Sequence, residues 1–183
     1  NAPQNKKHSM RTLGIIIIAL LLLGTVGLVF MGGFAKPELS QTRLPVYVIA
    51  GKPFRGKATS DTLLRLFDES KQLHTEGKLP GTLTAVYYER PDEKPGRVDV
   101  WVGVLLRDTA TRLPTGYLLR TFPSTDAVRA QIKAHYMVAP TPDKVKTQLQ
   151  AFAAEQNLKP GNFVVERYLG EQEIVMEMPV GSR

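Results

Sequence analysis

Charged residues are absent from one long apolar stretch of the chain, residues 13–35 (LGIIIIALLLLGTVGLVFMGGFA). A helix that crosses a bilayer core needs about 20 consecutive apolar residues. A buried helix of this length in a small domain would carry a polar stripe, and this stretch has none. The pattern therefore predicts a transmembrane helix over residues 13–35, preceded by a short segment, residues 1–12.

The flanks of this stretch predict its orientation. Lysine and arginine precede it without any acidic residue, whereas the basic residues that follow it are accompanied by Glu38. Positive charge favours the cytoplasmic end of a membrane helix. We therefore expect a single-pass protein with residues 1–12 in the cytoplasm and a C-terminal domain that is periplasmic or extracellular. A cleaved signal peptide is the alternative, because residues 33–35 (GFA) resemble a small-x-small cleavage site.

After a polar linker, residues 36–44, apolar positions either alternate or recur with helical spacing. Leu63, Leu66 and Phe67 share one helical face, and so do Val145 and Leu149, which indicates two amphipathic helices. Turns rich in glycine and proline separate the alternating segments. We predict helices at residues 61–76 and 142–156, and strands at residues 45–50, 82–89, 97–106, 117–122, 127–139, 163–169 and 173–180.

The predicted elements follow the order strand, helix, strand, strand twice. Residues 45–106 and 127–180 each hold this order, and the strand at 117–122 links them. An internal duplication is informative about the fold, and strands combined with two such helices are typical of an α+β domain. We expect residues 45–183 to form a curved antiparallel sheet with both helices on one face. The two repeats would meet in a cleft on the opposite, concave face, where a small ligand could bind.

Composition excludes several kinds of chemistry. The chain has a net charge of +7 and no cysteine, so it has no disulfide, thiol nucleophile or cysteine zinc site. Its basic residues are scattered, unlike the basic, aromatic-interleaved surface of a nucleic-acid-binding protein. Residues 51–57 (GKPFRGK) resemble a phosphate-binding loop, but Ala58 lacks the hydroxyl that binds Mg²⁺ and Pro53 lacks a backbone donor. We therefore predict no cofactor, no metal and no nucleic-acid partner.

Four segments, in order along residues 45–180, resemble the GyrI-like family. The family includes effector-binding domains of multidrug-responsive regulators, gyrase-inhibitory proteins and stand-alone small-molecule binders. The chain departs from it at residues 50–54 (AGKPF), where a His-x-Gly-Pro-Tyr turn is usual, and the apolar stretch stands in place of a DNA-binding helix-turn-helix. The matching segments are residues 85–104 with a Tyr-Tyr-acid-x-Pro turn, residues 116–134, the helix at 141–158 followed by Glu166-Arg167-Tyr168-Leu169, and the closing Glu177-Met178-Pro179-Val180.

The resemblance implies a domain that binds a small, cationic or amphipathic aromatic ligand, with Glu166 in an aromatic-lined pocket. The residues are compatible with this, because Val164, Glu166 and Tyr168 alternate onto one strand face. A partly buried carboxylate without a partner is costly and has a raised pKa. A cation that stacks on aromatic rings would offset part of that cost. The alternative is a carboxylate that pairs with a neighbouring lysine or arginine.

Two further aromatic residues are expected at the ligand site. Tyr88 holds the position in the first repeat that Tyr168 holds in the second, and Trp101 shares a strand face with Asp99. We predict that both rings line the cleft. The alternative is that they are ordinary core or rim aromatics.

The expected function is therefore multidrug-type small-molecule binding at a membrane, with the lipid bilayer as a second partner through residues 13–35. One alternative is an interaction module that docks a membrane or periplasmic protein. Another, implied by GyrI-like proteins of similar fold, is a hydrolase of reactive cyclopropane-type natural products. In that case Glu166 would act as base or electrostatic stabiliser and Tyr88 or Tyr168 would orient water.

Overall fold

Nine strands and two helices form the part of the chain that the computed structural model describes, residues 36–89, 94–109, 111–135 and 139–182. In chain order they are β1 (Glu38–Leu44), β2 (Tyr47–Lys57), α1 (Asp61–Thr75), β3 (Gly81–Tyr88), β4 (Arg97–Leu106), β5 (Leu118–Phe122), β6 (Thr125–Ile132), α2 (Pro142–Glu155), β7 (Leu158–Pro160), β8 (Phe163–Tyr168) and β9 (Ile174–Ser182).

Local sequence explains where both helices begin. The Ser60 side chain accepts a hydrogen bond from the Thr62 backbone N–H at 3.2 Å, which satisfies one of the free donors of the first turn of α1,. Pro142 occupies the first turn of α2, where its missing N–H would have no intrahelical partner anyway,. Each helix buries one apolar side, and the other side is exposed.

All strand pairs in the sheet are antiparallel. The strand order is β1-β6-β9-β8-β3-β4-β2-β5, and β7 pairs separately with β9. Strands β8 and β3 are therefore central, and the second repeat (β6, α2, β8, β9) adjoins the first (β2, α1, β3, β4) along them. In the register between them, Ala85 of β3 lies opposite Glu166 of β8, and Val86 lies opposite Val165.

Both helices pack on the same face of this sheet, which we call the helix face. Leu63 and Leu66 of α1 pack with Ala85 and with the valines of β4. Val145 and other apolar residues of α2 pack with β6, β8 and β9. Because side chains directly opposite each other in an antiparallel pair share a face, Glu166 also lies on the helix face.

The other face curls inward and is filled by aromatic side chains; we call it the aromatic face. The Tyr47 hydroxyl of β2 donates a hydrogen bond to Glu177 of β9 at 2.8 Å, although β2 and β9 are four strand positions apart. In a flat sheet this separation would be about 19 Å. Trp101 and Phe122 are buried in the same cluster as Tyr47, so aromatic side chains fill the inside of the curl. The cavity described below lies on the helix face instead of on this face, where we expected the cleft.

The expected transmembrane helix is not supported. No helix of the described residues is both long and apolar enough to cross a membrane, since α1 has 15 residues and α2 has 14, with polar exposed sides. Residues 13–35, to which the prediction assigned that helix, lie outside the described residues. The predicted fold class is thus corrected to a mostly antiparallel sheet with two helices, and the predicted membrane localisation is withdrawn.

Residues 36–44 differ from the polar linker that we expected, because they contain β1. This strand pairs with β6 along its full length, from Glu38 opposite Gln131 to Leu44 opposite Thr125. Its side chains are mostly exposed and polar, so its sequence lacks an apolar alternation. Pairing with β6 stabilises it as a strand.

Candidate functional site

A cavity of about 880 Å³ lies on the helix face, in the space between α1 and α2. Its floor is formed by β3 and β8, where the two repeats meet. Leu64 and Phe67 contribute to one wall and Pro142 to the other, while Tyr87 and Tyr168 form part of the floor. This volume falls within the range of about 300–1,000 Å³ that is usual for small-molecule sites.

Glu166 lies directly beneath this floor. It sits between Ala85 of β3 and Met176 of β9, and only 4% of its surface is exposed. The hydroxyls of Tyr87 and Tyr168 hydrogen bond to its carboxyl group. Its Oε2 atom is buried and has no hydrogen-bond partner among the residues that the structure describes. The two tyrosines therefore stand between the carboxyl group and the cavity.

This environment changes the acidity of all three groups. Burial raises the pKa of Glu166 from 4.5 to about 7, and the hydrogen bonds from Tyr168 and Tyr87 offset part of that rise. Burial, with the nearby Glu166 charge, raises the pKa of both tyrosine hydroxyls well above their usual value. The tyrosines therefore remain hydrogen-bond donors, while the carboxyl group changes its charge near neutral pH.

A second buried glutamate, on the neighbouring strand, has a carboxylate whose charge is compensated by cationic partners. Glu177 of β9 is fully buried on the aromatic face. It accepts charge-assisted hydrogen bonds from Arg129 at 2.8 and 2.9 Å and from Arg167 at 3.0 and 3.1 Å, besides the Tyr47 bond. Glu166 has no such cation among its interactions.

Charged side chains surround the ends of the cavity, and many of them are acidic. Asp68 of α1 and Asp143 of α2 face the cavity from its two sides. Glu89 also lies there, but Lys146 pairs with it at 2.8 Å and Gln150 donates to it at 3.2 Å. This group ties α2 to the end of β3. The cavity is also bordered by the basic side chains of Lys71 and Arg97, besides Lys146, so five acidic and three basic groups line it.

The structure separates the four residues that the sequence predicted for one site. Glu166 and Tyr168 lie together on the helix face. The Trp101 and Tyr88 rings lie on the aromatic face, although Tyr88 also borders the cavity. The Arg120 guanidinium lies 4.7 Å from the Tyr88 ring centroid and 5.6 Å from that of Trp101. Tyr88 and Trp101 therefore form a cluster of their own, away from Glu166.

Tyr87 is the site residue that the sequence analysis missed. It precedes Tyr88 on β3 and so points to the opposite face of the sheet. The valine alternation of β4 could have identified it, because Tyr87 lies opposite Val100 on the face that packs against α1. That inference requires the register between β3 and β4, which the local pattern does not contain.

No protein-family model matches the chain, and no curated protein sequence matches it. Solved structures do match it. The C-terminal domain of EcmrR superposes with a TM-score of 0.61 at 15% identity, covering 80% of this chain and 99% of that domain. SAV2435 bound to tetraphenylphosphonium gives 0.52 at 12% identity, covering 79% and 94%. A hydrolase from Listeria innocua gives 0.53 at 10% identity, covering 80% and 93%.

These likenesses show the fold. The chain shares that fold with the C-terminal domain of EcmrR and with SAV2435. The lipid and membrane partners that the sequence analysis expected are not supported by them.

Proposed function

We propose that this domain binds small, lipophilic aromatic cations in the cavity between α1 and α2, with Glu166 as the countercharge. The observation that carries the proposal is the missing partner of Glu166. Glu166 and Glu177 are both buried carboxyl groups of one sheet, yet Glu177 has two guanidinium partners and Glu166 has none among the residues that the structure describes. An uncompensated buried carboxylate is costly, and a bound cation would supply the missing charge.

The tyrosines would make the contact with the ligand. Their hydroxyls donate to Glu166, so a cation in the cavity would rest against two phenol groups that are polarised by the carboxylate behind them. Contact between a cation and an aromatic ring contributes about 0.5–2 kcal/mol, more where water is excluded. Phe67, whose ring meets that of Tyr168 edge-on at 6.2 Å, extends this aromatic surface along α1. Binding of tetraphenylphosphonium by the structural neighbour SAV2435 supports the same ligand class.

The test is a calorimetric titration of the full chain with tetraphenylphosphonium at pH 8, where Glu166 is mostly ionised. We expect saturable binding that weakens by about thirtyfold in Glu166→Gln, since a charge pair about 8 Å apart, with the tyrosines between, contributes about 2 kcal/mol at an effective dielectric constant near 20. Neutral triphenylphosphine oxide should bind the native protein more weakly than the cation does.

Glu155→Gln is the matched control, because it makes the same chemical change at an exposed position of α2. It should bind tetraphenylphosphonium like the native chain. Equal affinity of Glu166→Gln and native protein, or equal affinity for the cation and the neutral oxide, would contradict the role of Glu166 as countercharge.

A hydrolase is the second candidate, because a carboxyl group with a pKa near 7 between two tyrosine hydroxyls is suited to general acid–base chemistry,. The likeness to the Listeria innocua hydrolase supports it. Glu166 lies behind the tyrosines, so a proton would have to pass through Tyr87 or Tyr168. Incubation with a strained cyclopropane electrophile tests this function: product that forms with the native chain and not with Tyr168→Phe would favour it.

A further inference from the structure

We infer that the cavity exchanges a proton for its ligand: one bound cation releases one proton from Glu166. This inference rests on the proposed function and adds its regulation. It predicts that pH sets the affinity of the site, and that the protonated site and the ionised site prefer ligands of different charge.

Glu166 can be either protonated or ionised in this geometry, and the groups around it do not fully compensate either state. Ala85 and Met176 flank it on the neighbouring strands, and neither can carry charge. Tyr87 and Tyr168 donate to the carboxyl group, and its Oε2 remains without a partner in the described part of the chain. When the cavity holds no cation, a proton is the remaining means of neutralising this group.

Other titratable groups reach the cavity from the elements around it. Both tyrosines act on Glu166 directly as hydrogen-bond donors. From the helices, the titratable side chains are Asp68, Lys71 and His74 on α1 and Asp143 and Lys146 on α2. At the ends of the cavity, the remaining titratable groups are Arg97 and Asp99 of β4, Tyr88 and Glu89 at the end of β3, and Glu171 after β8.

Among these groups, His74 needs a control of its own. An imidazole ring can bind a proton, and a bound cation nearby would oppose that binding. The His74 side chain borders the cavity, and its buried Nδ1 atom has no hydrogen-bond partner in the described residues. A proton released on binding must therefore be assigned between His74 and Glu166.

The exchange of the Glu166 proton for a bound cation follows from the charge balance at the floor of the cavity. Burial places the pKa of Glu166 at about 7, so about half of the molecules hold the proton at neutral pH. A cation against Tyr87 and Tyr168 favours the ionised carboxylate and drives that proton into solvent. At about pH 6 and below, the cation must displace a proton from nearly every molecule, so its affinity falls. When Glu166 is protonated, the floor of the cavity is neutral and can accommodate uncharged aromatic ligands.

Tetraphenylphosphonium is a suitable probe, because it has no ionisable proton and any proton released must come from the protein. The full chain is titrated by calorimetry between pH 5.5 and pH 8, at each pH in two buffers of different ionisation enthalpy. We expect the affinity to fall by about fifteenfold from pH 8 to pH 5.5, with about 0.7 proton released per ligand at pH 6 and about 0.1 at pH 8.

Three variants assign the proton. Glu166→Gln should bind weakly at every pH, without proton release, and the native chain should come within about twofold of its affinity at pH 5.5. His74→Gln should keep the native proton count. Tyr87→Phe removes a hydrogen bond that lowers the pKa of Glu166, and it should move the midpoint of the affinity curve to higher pH.

The outcomes separate the inference from the function on which it rests. Saturable binding with a pH-independent affinity and no proton release overturns the exchange and leaves cation binding intact. Proton release that persists in Glu166→Gln and disappears in His74→Gln also overturns it. Absence of saturable binding by the native chain overturns both the exchange and the proposed function.

Discussion

At the scale of single residues, Glu166 and Glu177 show how the same side chain acquires different properties in one sheet. They lie on the adjacent strands β8 and β9 and point to opposite faces, because Glu177 lies opposite Val165 and not Glu166. Two guanidinium groups hold Glu177 in place. Glu166 receives only neutral phenol donors, so burial dominates its pKa. Position on the strand, and hence face, decides which glutamate is available to a ligand.

Because burial raises the pKa of Glu166, the ionised side chain lowers the stability of the folded chain. This gives a prediction for Glu166→Gln. The pKa is about 7 in the folded chain against 4.5 for an ordinary glutamate, so the folded state binds the proton more tightly. The contribution of Glu166 to stability is then most favourable below pH 4.5 and is lost as pH rises to 7. As the pH rises from 5 to 8, we expect the free energy of unfolding of Glu166→Gln to increase by about 2–3 kcal/mol relative to that of the native chain.

Urea unfolding of both proteins at pH 5 and pH 8 measures this difference. All other groups titrate in both proteins, so their effects cancel in the comparison. Parallel stability profiles for the native chain and Glu166→Gln would show that Glu166 has an ordinary pKa in the folded protein.

At the scale of elements, the Glu177 cluster joins strands that are not neighbours. Its members come from β9 (Glu177), β6 (Arg129), β8 (Arg167) and β2 (Tyr47), and the Arg167 guanidinium also lies 5.6 Å from the Tyr47 ring centroid. The contact between β2 and β9 crosses the inside of the curl. The cluster therefore stabilises the curvature of the sheet, and with it the relative position of the two repeats that carry the cavity.

We expect Glu177→Gln to lower the free energy of unfolding by about 3 kcal/mol, because two guanidinium groups would lose their countercharge. Urea unfolding at pH 8 measures it, with Glu155→Gln as the control that should change stability by less than about 0.5 kcal/mol. A loss no larger than that of the control would mean that the cluster does not hold the sheet together.

At the scale of the whole molecule, local charge and net charge differ in sign. The chain carries +7, which by itself would repel a cation. The cavity, however, has a buried carboxyl group below its floor and Asp68 and Asp143 on its sides. Charges farther away than about 10 Å are largely screened at 0.1 M salt, so the groups that border the cavity act on a ligand there more strongly than the net charge does.

A ligand held between both helices and the sheet should stabilise the whole fold. We expect tetraphenylphosphonium at a hundred times its dissociation constant to raise the free energy of unfolding by about 2.7 kcal/mol at pH 8. Thermal unfolding of the full chain, followed by circular dichroism, measures the shift of the midpoint. Glu166→Gln at the same ligand concentration should shift much less. An unchanged midpoint for the native chain would contradict binding to the folded state.

The sequence by itself determined most elements of this domain, because strand and helix periodicity are local properties. The alternating valines of β4 and the helical spacing of Leu63 and Leu66 predicted elements that the structure contains. The alternation of Glu166 and Tyr168 placed both on one face of β8. The polar strand β1 and the three-residue strand β7 were not predicted. They form by pairing with β6 and β9, and their own sequence patterns do not identify them as strands.

Only the tertiary structure decided which aromatic residues surround Glu166. Tyr87 and Tyr88 are adjacent in sequence and point to opposite faces, so a shift of one residue in register exchanges their roles. Register and the packing of the helices are set by contacts between segments far apart in the chain. These contacts brought Tyr87 to Glu166, placed Tyr88 and Trp101 beneath Arg120 on the other face, and left the cavity on the face that carries both helices.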